Sequence, residues 1–314
     1  MLRIDSRLEL PRRLGRPVVT IGTFDGVHKG HQRVLSGLCA WARELGTRSL
    51  VVTFDRSPKT VTRGERAPFI TSLEHRLVLF ERLGVDACAV LRFDRALSEM
   101  SAFDFAVRVL YGRFRARGIL LGFNGRFGRN GEGDAALLQR LAGEGLFRVR
   151  CERSPVRVGG RVVSSSAIRT AIESGRLREA GRMLGRPVAL LGTVVRGLGR
   201  GTVLGFPTAN LDLHHEVIPP SGVYATEARL GRVWRPALTS IGRQPTFRHP
   251  PRKDVVEVFI PGIRRALYGL DVEVRFARKL REQVRFGSAE ELIGQMRRDV
   301  EALKRYVKES DDGG

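Results

Sequence analysis

The sequence predicts two domains of different class, an α/β domain built on a parallel sheet and then a small antiparallel β-barrel that ends in a helix. Three observations predict it. At 314 residues the chain has room for about two domains. Its first half alternates short apolar runs with helix-period patterns, as a parallel sheet covered by helices on both faces requires. From about residue 187 the apolar period drops to two, the mark of strands with one buried and one wet face.

The elements follow in order. PVVTIG (17–22) reads as a buried strand, after which Val34, Leu35, Leu38, Trp41, Ala42 and Leu45 recur at helical spacing until Gly46 ends the run. SLVVTF (49–54) is the next strand. A helix over about 73–83, the strand-like ACAVLRF (87–93), a helix over about 102–111 and GILLGF (118–123) complete the alternation. Ligands of such sheets bind at the carboxyl ends of the strands. In the second half ALLGTVV, GVYATEARL, VVEVFI and LDVEVRF are strand-like, and in the last Leu270, Val272, Val274 and Phe276 alternate with Asp271, Glu273 and Arg275. The closing helix has Leu292, Ile293, Met296, Val300 and Leu303 as its apolar stripe. The tail ESDDGG (309–314) is expected to be disordered. We place the domains at 1–185 and 186–314. No internal repeat or low-complexity segment is seen.

Composition narrows the function classes. Cys39, Cys88 and Cys151 lie far apart without paired spacing, which suits neither a disulfide framework nor a zinc site. A reducing cytoplasm is the expected compartment. No apolar stretch has signal-peptide or spanning length, so no membrane role is expected. A net charge of +22 favours phosphate-bearing partners, either nucleotides or nucleic acid. The arginines are scattered, and no nucleic-acid module is recognisable. We therefore expect small phosphorylated substrates, no nucleic acid, and a monomer or weak homo-oligomer.

VVTIGTFDGVHKGHQRVL (18–35) carries the first candidate site. A strand ends at Gly22 and a helix begins near Gly30, so residues 23–29 form a turn whose free N–H groups and glycines suit a phosphate. His28 and His31 are three apart, so they share a helix face and can donate hydrogen bonds to charge on a transferring phosphate. Either histidine alone is more often structural. HxGH at a strand-to-helix turn reverses that preference. No third ligand stands nearby in sequence, which disfavours a metal site. VSSSAIR (163–169) reads equally as a helix N-cap or a second phosphate site.

VVRGLGRGTVLGFPTANLDL (194–213) carries the second. Gly197, Gly199 and Gly201 suit a phosphate loop, a weak signal alone because glycine turns abound in barrels. PTAN adds the hydroxyl of Thr208 and the amide oxygen of Asn210, hard ligands for Mg²⁺ and its phosphates. Glu257 interrupts the apolar run VVEVFI, where an unpaired charge would be costly. Without the other motifs it would read as a wet-face carboxylate.

GTFDGVHKGH resembles the signature of HxGH nucleotidyltransferases. With the glycine-rich PTAN stretch, PPSGVYA (219–225), SIGRQPTF (240–247), LYG (267–269) and LREQVRF (280–286), the chain is similar over about residues 17–305 to the bacterial bifunctional riboflavin kinase/FMN adenylyltransferase (FAD synthetase) family. The resemblance implies an α/β Rossmann-like HxGH nucleotidyltransferase domain followed by a small antiparallel β-barrel riboflavin kinase domain with a C-terminal helix. It implies that riboflavin and ATP give FMN in the second domain, and that FMN and ATP give FAD and pyrophosphate in the first, with Mg²⁺ in both. Gly22, Phe24, Asp25 and Gly26 would shape the ATP loop, His28 and His31 would bind the ATP phosphates as catalytic groups, and Ser164, Ser165 and Arg169 would add phosphate contacts. Gly197, Gly199, Gly201, Thr208 and Asn210 would hold Mg-ATP, Glu257 would be the general base, and Asn124 and Arg281 would lie at the flavin.

Two segments depart from the family pattern. TFDRSPK (53–59) has Arg56 and Ser57 in place of proline and histidine, and GFNGRFG (122–128) has Asn124 and Gly125 in place of aspartate and an aromatic. They support an alternative, a riboflavin kinase with an impaired or retuned adenylyltransferase. A nucleic-acid-binding protein that reuses the fold is a third reading. Phe259 stands where the family commonly has histidine, a change expected to be tolerated because that histidine is not the base.

Overall fold

Continuous runs of valine, leucine and isoleucine need cover on both faces, and they build a parallel sheet in the first part of the chain. The computed structural model describes residues 1–5, 10–57, 64, 68–197, 205–214, 216–243, 254–263 and 266–311. The chain divides into two units, Met1–Ile168 and Arg169–Gly314.

The sheet of the first unit comprises β1 (Leu2–Asp5), β2 (Val18–Ile21), β3 (Ser49–Phe54), β4 (Ala87–Leu91), β5 (Gly118–Leu121) and β6 (Arg148–Cys151), in the order β1-β4-β3-β2-β5-β6. All five pairings are parallel. Helices α1 (Lys29–Glu44), α2 (Leu73–Arg82) and α3 (Ala135–Gly143) connect and cover the strands. Alternate strand residues feed two cores. Val18, Val51 and Cys88 pack with Leu35, Leu38 and Trp41 of α1 and with Phe80 of α2. Leu50, Val52 and Ile119 pack with Phe105, Leu110 and Leu138. From β2 the chain proceeds outward through β3 and β4, and from β5 it proceeds the other way to β6. The strand order therefore reverses between β2 and β5, and a crevice opens at their carboxyl ends.

The expected helix over 102–111 is one α-helical turn, Ala102–Asp104, continued by a π-helix at Phe105–Arg113. Sequence periodicity did not anticipate β1 or β6. LRID and RVRC are short edge strands whose charged residues break the apolar run that marks the central strands.

A hairpin, β7 (Arg157–Val158) and β8 (Arg161–Val162), precedes α4 (Ser165–Glu173), which crosses the division, and α5 (Leu177–Leu184). By contact the division falls ahead of 185/186, so residues 169–184 group with the second unit. Its six strands are β9 (Ala189–Val195), β10 (Thr208–Leu213), β11 (Gly222–Leu230), β12 (Val233–Arg243), β13 (Asp254–Phe259) and β14 (Asp271–Arg281), closed as an antiparallel barrel in the order β10-β13-β12-β11-β14-β9. The alternation in β14 holds for Val272, Val274 and Phe276, which are buried. It fails at two positions. Leu270 is 48% exposed in the turn before the strand, whereas Glu273 is 6% exposed and ion-paired with Arg229 at 3.7 Å. The last helix, α6 (Ala289–Asp311), lays Leu303 and Val300 over Ala225 and Leu238. It continues through Glu309 to Asp311, so half of the tail expected to be disordered is helical, and residues 312–314 lie outside the described residues.

Candidate active sites

Between β2 and α1 the chain must turn from sheet to helix, and it does so through left-handed backbone. Phe24 and Val27 have φ of +49° and +40°, values costly for residues with a Cβ, and Gly26 between them has +83°. Hydrogen bonds from distant segments hold this turn. The buried Asp25 carboxylate accepts from the N–H groups of Ile70 (2.8 Å) and Thr71 (3.3 Å). The Gly26 N–H donates to the Thr71 hydroxyl at 2.9 Å, and the Ser165 hydroxyl donates to the Asp25 carbonyl at 2.9 Å. Beneath the turn, Arg76 of α2 donates to the Thr23 carbonyl at 2.6 Å.

His28 is the N-cap of α1, its Nδ1 accepting from the His31 N–H at 3.3 Å. That bond places the lone pair on Nδ1, so the neutral ring carries its proton on Nε2 and presents it as a donor. The His31 ring stacks on His28 with centroids 3.6 Å apart and planes 17° apart, and Phe24 meets His31 edge-on at 5.3 Å. The two imidazoles thus form one stacked pair at a helix N-terminus, where the helix dipole favours anions.

The crevice at this turn is a cavity of about 320 Å³ lined by Gly22, Thr23, Phe24 and His31 on one side and by Phe54, Phe93, Asn124, Gly125 and Phe127 on the other. Aromatic walls suit a planar ring system. Of the residues that depart from the family pattern, Asn124 and Gly125 line the cavity, while Arg56 lies outside its lining and pairs with Asp55 at 3.6 Å. Ser57 also lies outside it. A Cβ at Gly125 would stand 2.6 Å from Leu121, so an aromatic there would require the loop to move outward.

The serine run serves both as cap and as tie. Ser164 accepts from the Ala167 N–H at 3.2 Å, an N-cap bond, and Ser165 ties the helix start to the turn as described. Arg169 lies one helical turn further along α4.

Arg76 was not singled out by sequence reasoning. It is fully buried, and besides Thr23 it donates to the Thr53 hydroxyl (2.9 Å) and the carbonyls of Phe54 (3.1 Å) and Ser72 (3.4 Å). Burial pushes its pKa below the usual arginine value, and the nearby Asp25 charge works against that shift. The signal available in sequence was a cation in register with Leu73 and Phe80 on the apolar face of a helix.

The second site rests on strand register. Asn210 of β10 stands opposite Glu257 of β13, Thr208 stands opposite Phe259, and β12 brings Ser240 beside Glu257. Directly opposed residues share a face of the sheet. Thr208, Asn210, Glu257 and Ser240 therefore lie together, on the face opposite the buried Val256 and Val258. Gln283 donates to the Ser240 hydroxyl at 2.7 Å. Gly197 passes close over Asn210, where a Cβ would lie 2.5 Å from the amide carbon. Gly199 and Gly201 lie outside the described residues. Phe259 packs against Phe206 at 5.5 Å and against the α6 patch.

Arg281 closes its fork on α6. Its Nε and Nη2 donate to the buried Asp299 at 2.9 and 2.7 Å, and its Nη1 donates to the Glu282 carbonyl at 3.0 Å. Ser240, Gln283 and Asp299 are the residues of this region that sequence reasoning passed over. Asp299 had a readable signal, an acid one position from Val300 on the helix stripe. Among the described residues, no three His, Cys, Asp or Glu side chains are grouped to hold a metal ion by themselves. Thr208, Asn210 and Glu257 nevertheless gather hard oxygen donors on one face, a set that fits a divalent cation completing its shell with phosphate oxygens and water.

The family model described as FAD synthetase matches residues 11–167, and that described as riboflavin kinase matches residues 184–307. The bifunctional riboflavin kinase/FMN adenylyltransferase of Escherichia coli (strain K12) is 36% identical over 291 residues, covering 92% of this chain and 92% of that protein. The protein of that description from Haemophilus influenzae is 34% identical over 92% of this chain and 93% of its own length. The one from Bacillus subtilis (strain 168) is 31% identical over 93% and 92%. Among solved structures, a crystal structure described as a macrolide-efflux protein from Streptococcus pneumoniae superposes with a TM-score of 0.79 at 28% identity, covering 97% of this chain and 99% of that one.

Proposed function

The chain belongs to the bifunctional riboflavin kinase/FMN adenylyltransferase family, and we propose how its residues divide the two reactions. The barrel unit phosphorylates riboflavin to FMN, and the α/β unit transfers AMP from ATP to FMN to give FAD and pyrophosphate. One observation carries the assignment of residues: a stacked histidine pair capping a helix at the switch point of a parallel sheet, in one chain with a barrel face that gathers Thr208, Asn210 and Glu257.

In the first site, His28 through Nε2–H and His31 beside it donate to the ATP phosphates, with the N–H groups at the start of α1 adding to the charge neutralisation. The FMN phosphate attacks the α-phosphorus directly, so the protein contributes position and charge. Gly22 and Phe24 form the nucleotide wall, Asp25 and Gly26 keep the turn in shape, Asn124 faces the ring systems in the cavity, and Ser164, Ser165 and Arg169 supply the second phosphate contact. In the second site, Gly197, Gly199, Gly201, Thr208 and Asn210 receive ATP. Thr208 and Asn210 would hold Mg²⁺, which neutralises phosphate charge when bound. Glu257 takes the proton of the ribityl hydroxyl as phosphoryl transfer proceeds. Arg281 borders the flavin as a residue already oriented by Asp299. The border between the two functional domains lies at 185/186, and the protein acts in the cytoplasm as a monomer or weak homo-oligomer, without nucleic acid.

Gly125, seated against Leu121 on the cavity wall, favours a second reading in which adenylyl transfer is weakened or retuned. A time course with riboflavin and Mg-ATP, resolved by chromatography, separates the two. FMN should rise and then convert to FAD. Glu257→Gln should slow FMN formation by about 10²-fold or more, and His28→Ala/His31→Ala should spare FMN while blocking FAD. A wild-type protein that stops at FMN supports the second reading.

A further inference from the structure

We propose that Arg76 is a positioning residue for adenylyl transfer, holding the turn that presents His28 and His31 to the nucleotide; this rests on the adenylyltransferase reading above. The residue is fully buried and does not line the cavity, so it acts through what it holds. Its fork joins two walls. Nη1 donates to the Thr23 carbonyl at 2.6 Å and to the Thr53 hydroxyl at 2.9 Å, and Nη2 donates to the Phe54 carbonyl at 3.1 Å. Thr23 and Phe54 both line the cavity, one just past the end of β2 and the other at the end of β3. Phe69 covers the guanidinium face, with its ring centroid 4.9 Å away.

The residue after Thr23 is Phe24, at φ +49°, and the left-handed backbone continues through Gly26 and Val27 to the helix cap. Left-handed backbone at non-glycine residues persists only where its surroundings over-determine it. Two buried charges do so here. Arg76 grips the turn at its entry, and Asp25, through Ile70 and Thr71, grips it at its middle. Loss of either leaves the turn free to relax, which moves the histidine pair relative to the nucleotide wall. Lysine cannot reproduce the fork, because its one nitrogen cannot fill the Nη1 and Nη2 positions together, so the Thr23–Thr53 pair and the Phe54 carbonyl are not all held in fixed geometry.

The test compares wild type, Arg76→Lys and Thr53→Val in FMN adenylylation, with riboflavin phosphorylation by the same preparations as the internal reference. Misplacement by about 1 Å costs on the order of 10²-fold, so Arg76→Lys should lower kcat by about tenfold to a hundredfold while KM for ATP moves by less than about threefold. Kinase activity should stay near wild type at a temperature where both variants remain folded, and the ring NMR signals of His28 and His31 should shift. Thr53→Val, which removes one acceptor of the fork together with the hydroxyl's own 3.4 Å bond to the Thr23 carbonyl and leaves the arginine in place, should lower kcat by about two- to fivefold. A folded Arg76→Lys protein with wild-type kcat and unshifted histidine signals overturns the proposal. So does an Arg76→Lys protein that fails to fold together with a Thr53→Val protein of unchanged kcat. If wild type itself forms no FAD from FMN, the adenylyltransferase reading falls and takes this proposal with it, an outcome distinct from an active wild type matched by its variants.

Discussion

Asp25 and Arg76 are buried beneath the first site, and neither lines its cavity. A carboxylate in a turn at a helix N-terminus invites a direct role with nucleotide, yet both bonds described for Asp25 run to backbone N–H groups 45 and 46 residues away. Asp25→Ala should destabilise the first unit by about 2–3 kcal/mol, since two buried amides lose a charged acceptor, and urea unfolding measures it. FAD formation should fall in that variant while FMN formation persists. The cysteines make a different point at this scale. Burial pushes the Cys88 thiol up to about 12 and also raises Cys39, so both stay neutral and unreactive at pH 8. A thiol-reactive dye should spare these two in the native protein and label all three cysteines after unfolding in urea. His28 and His31 were legible because their geometry is local, three residues apart on one helix start. The roles of Asp25 and Arg76 were not, because their partners are distant in sequence.

At the scale of elements, β3 and β4 are tied at one end by Asp86, which accepts from the Ser49 N–H (2.9 Å), the Ser49 hydroxyl (2.7 Å) and Arg48 (3.1 Å). Burial alone would raise its pKa, but these bonds outweigh it and the carboxyl lies below its ordinary 3.8. A folded pKa below the unfolded one contributes stability that is present above 3.8 and lost as pH falls through the folded value. Asp86→Asn should therefore melt a few °C lower than wild type, by roughly 2–4 °C at pH 7, with the gap narrowing as pH drops below 3.8. In the barrel, the two-residue spacing of Thr208 and Asn210 was enough to put both on one face, whereas the placement of Glu257 opposite Asn210 depended on which strands paired. Gly197→Ala should raise the kinase KM for ATP by about tenfold and leave FMN adenylylation intact, because a methyl has no room above the Asn210 amide. The edge strands β1 and β6 escaped notice for a related reason. An edge strand needs little apolar sequence, since only one neighbour and one face must be satisfied.

At the scale of the whole molecule, the units have separate cores, those of the first around Leu38 and Phe80 on one face of the sheet and around Ile119 on the other, and one in the second that includes Ala225, Leu238 and Leu303. Leu38→Ala, at a fully buried position in the first, should cost about 2–5 kcal/mol. On warming, that variant should lose FAD formation at a temperature where FMN formation continues, and parallel assays of both products during a thermal ramp check it. The sequence by itself determined the class of each unit, the order of the central strands and helices along the chain, the strand-to-helix turn that carries the two histidines, and the family, because apolar period and short motifs are local properties of a chain. Tertiary structure alone decided the strand order that opens the crevice between β2 and β5, the grouping of residues 169–184 with the barrel, the fork of Arg281 on Asp299, and the use of Asp25 and Arg76 as braces for a left-handed turn. The physical reason is the same in each case. A buried charge takes its role from the groups that come to surround it, and those groups arrive from segments that no local periodicity relates.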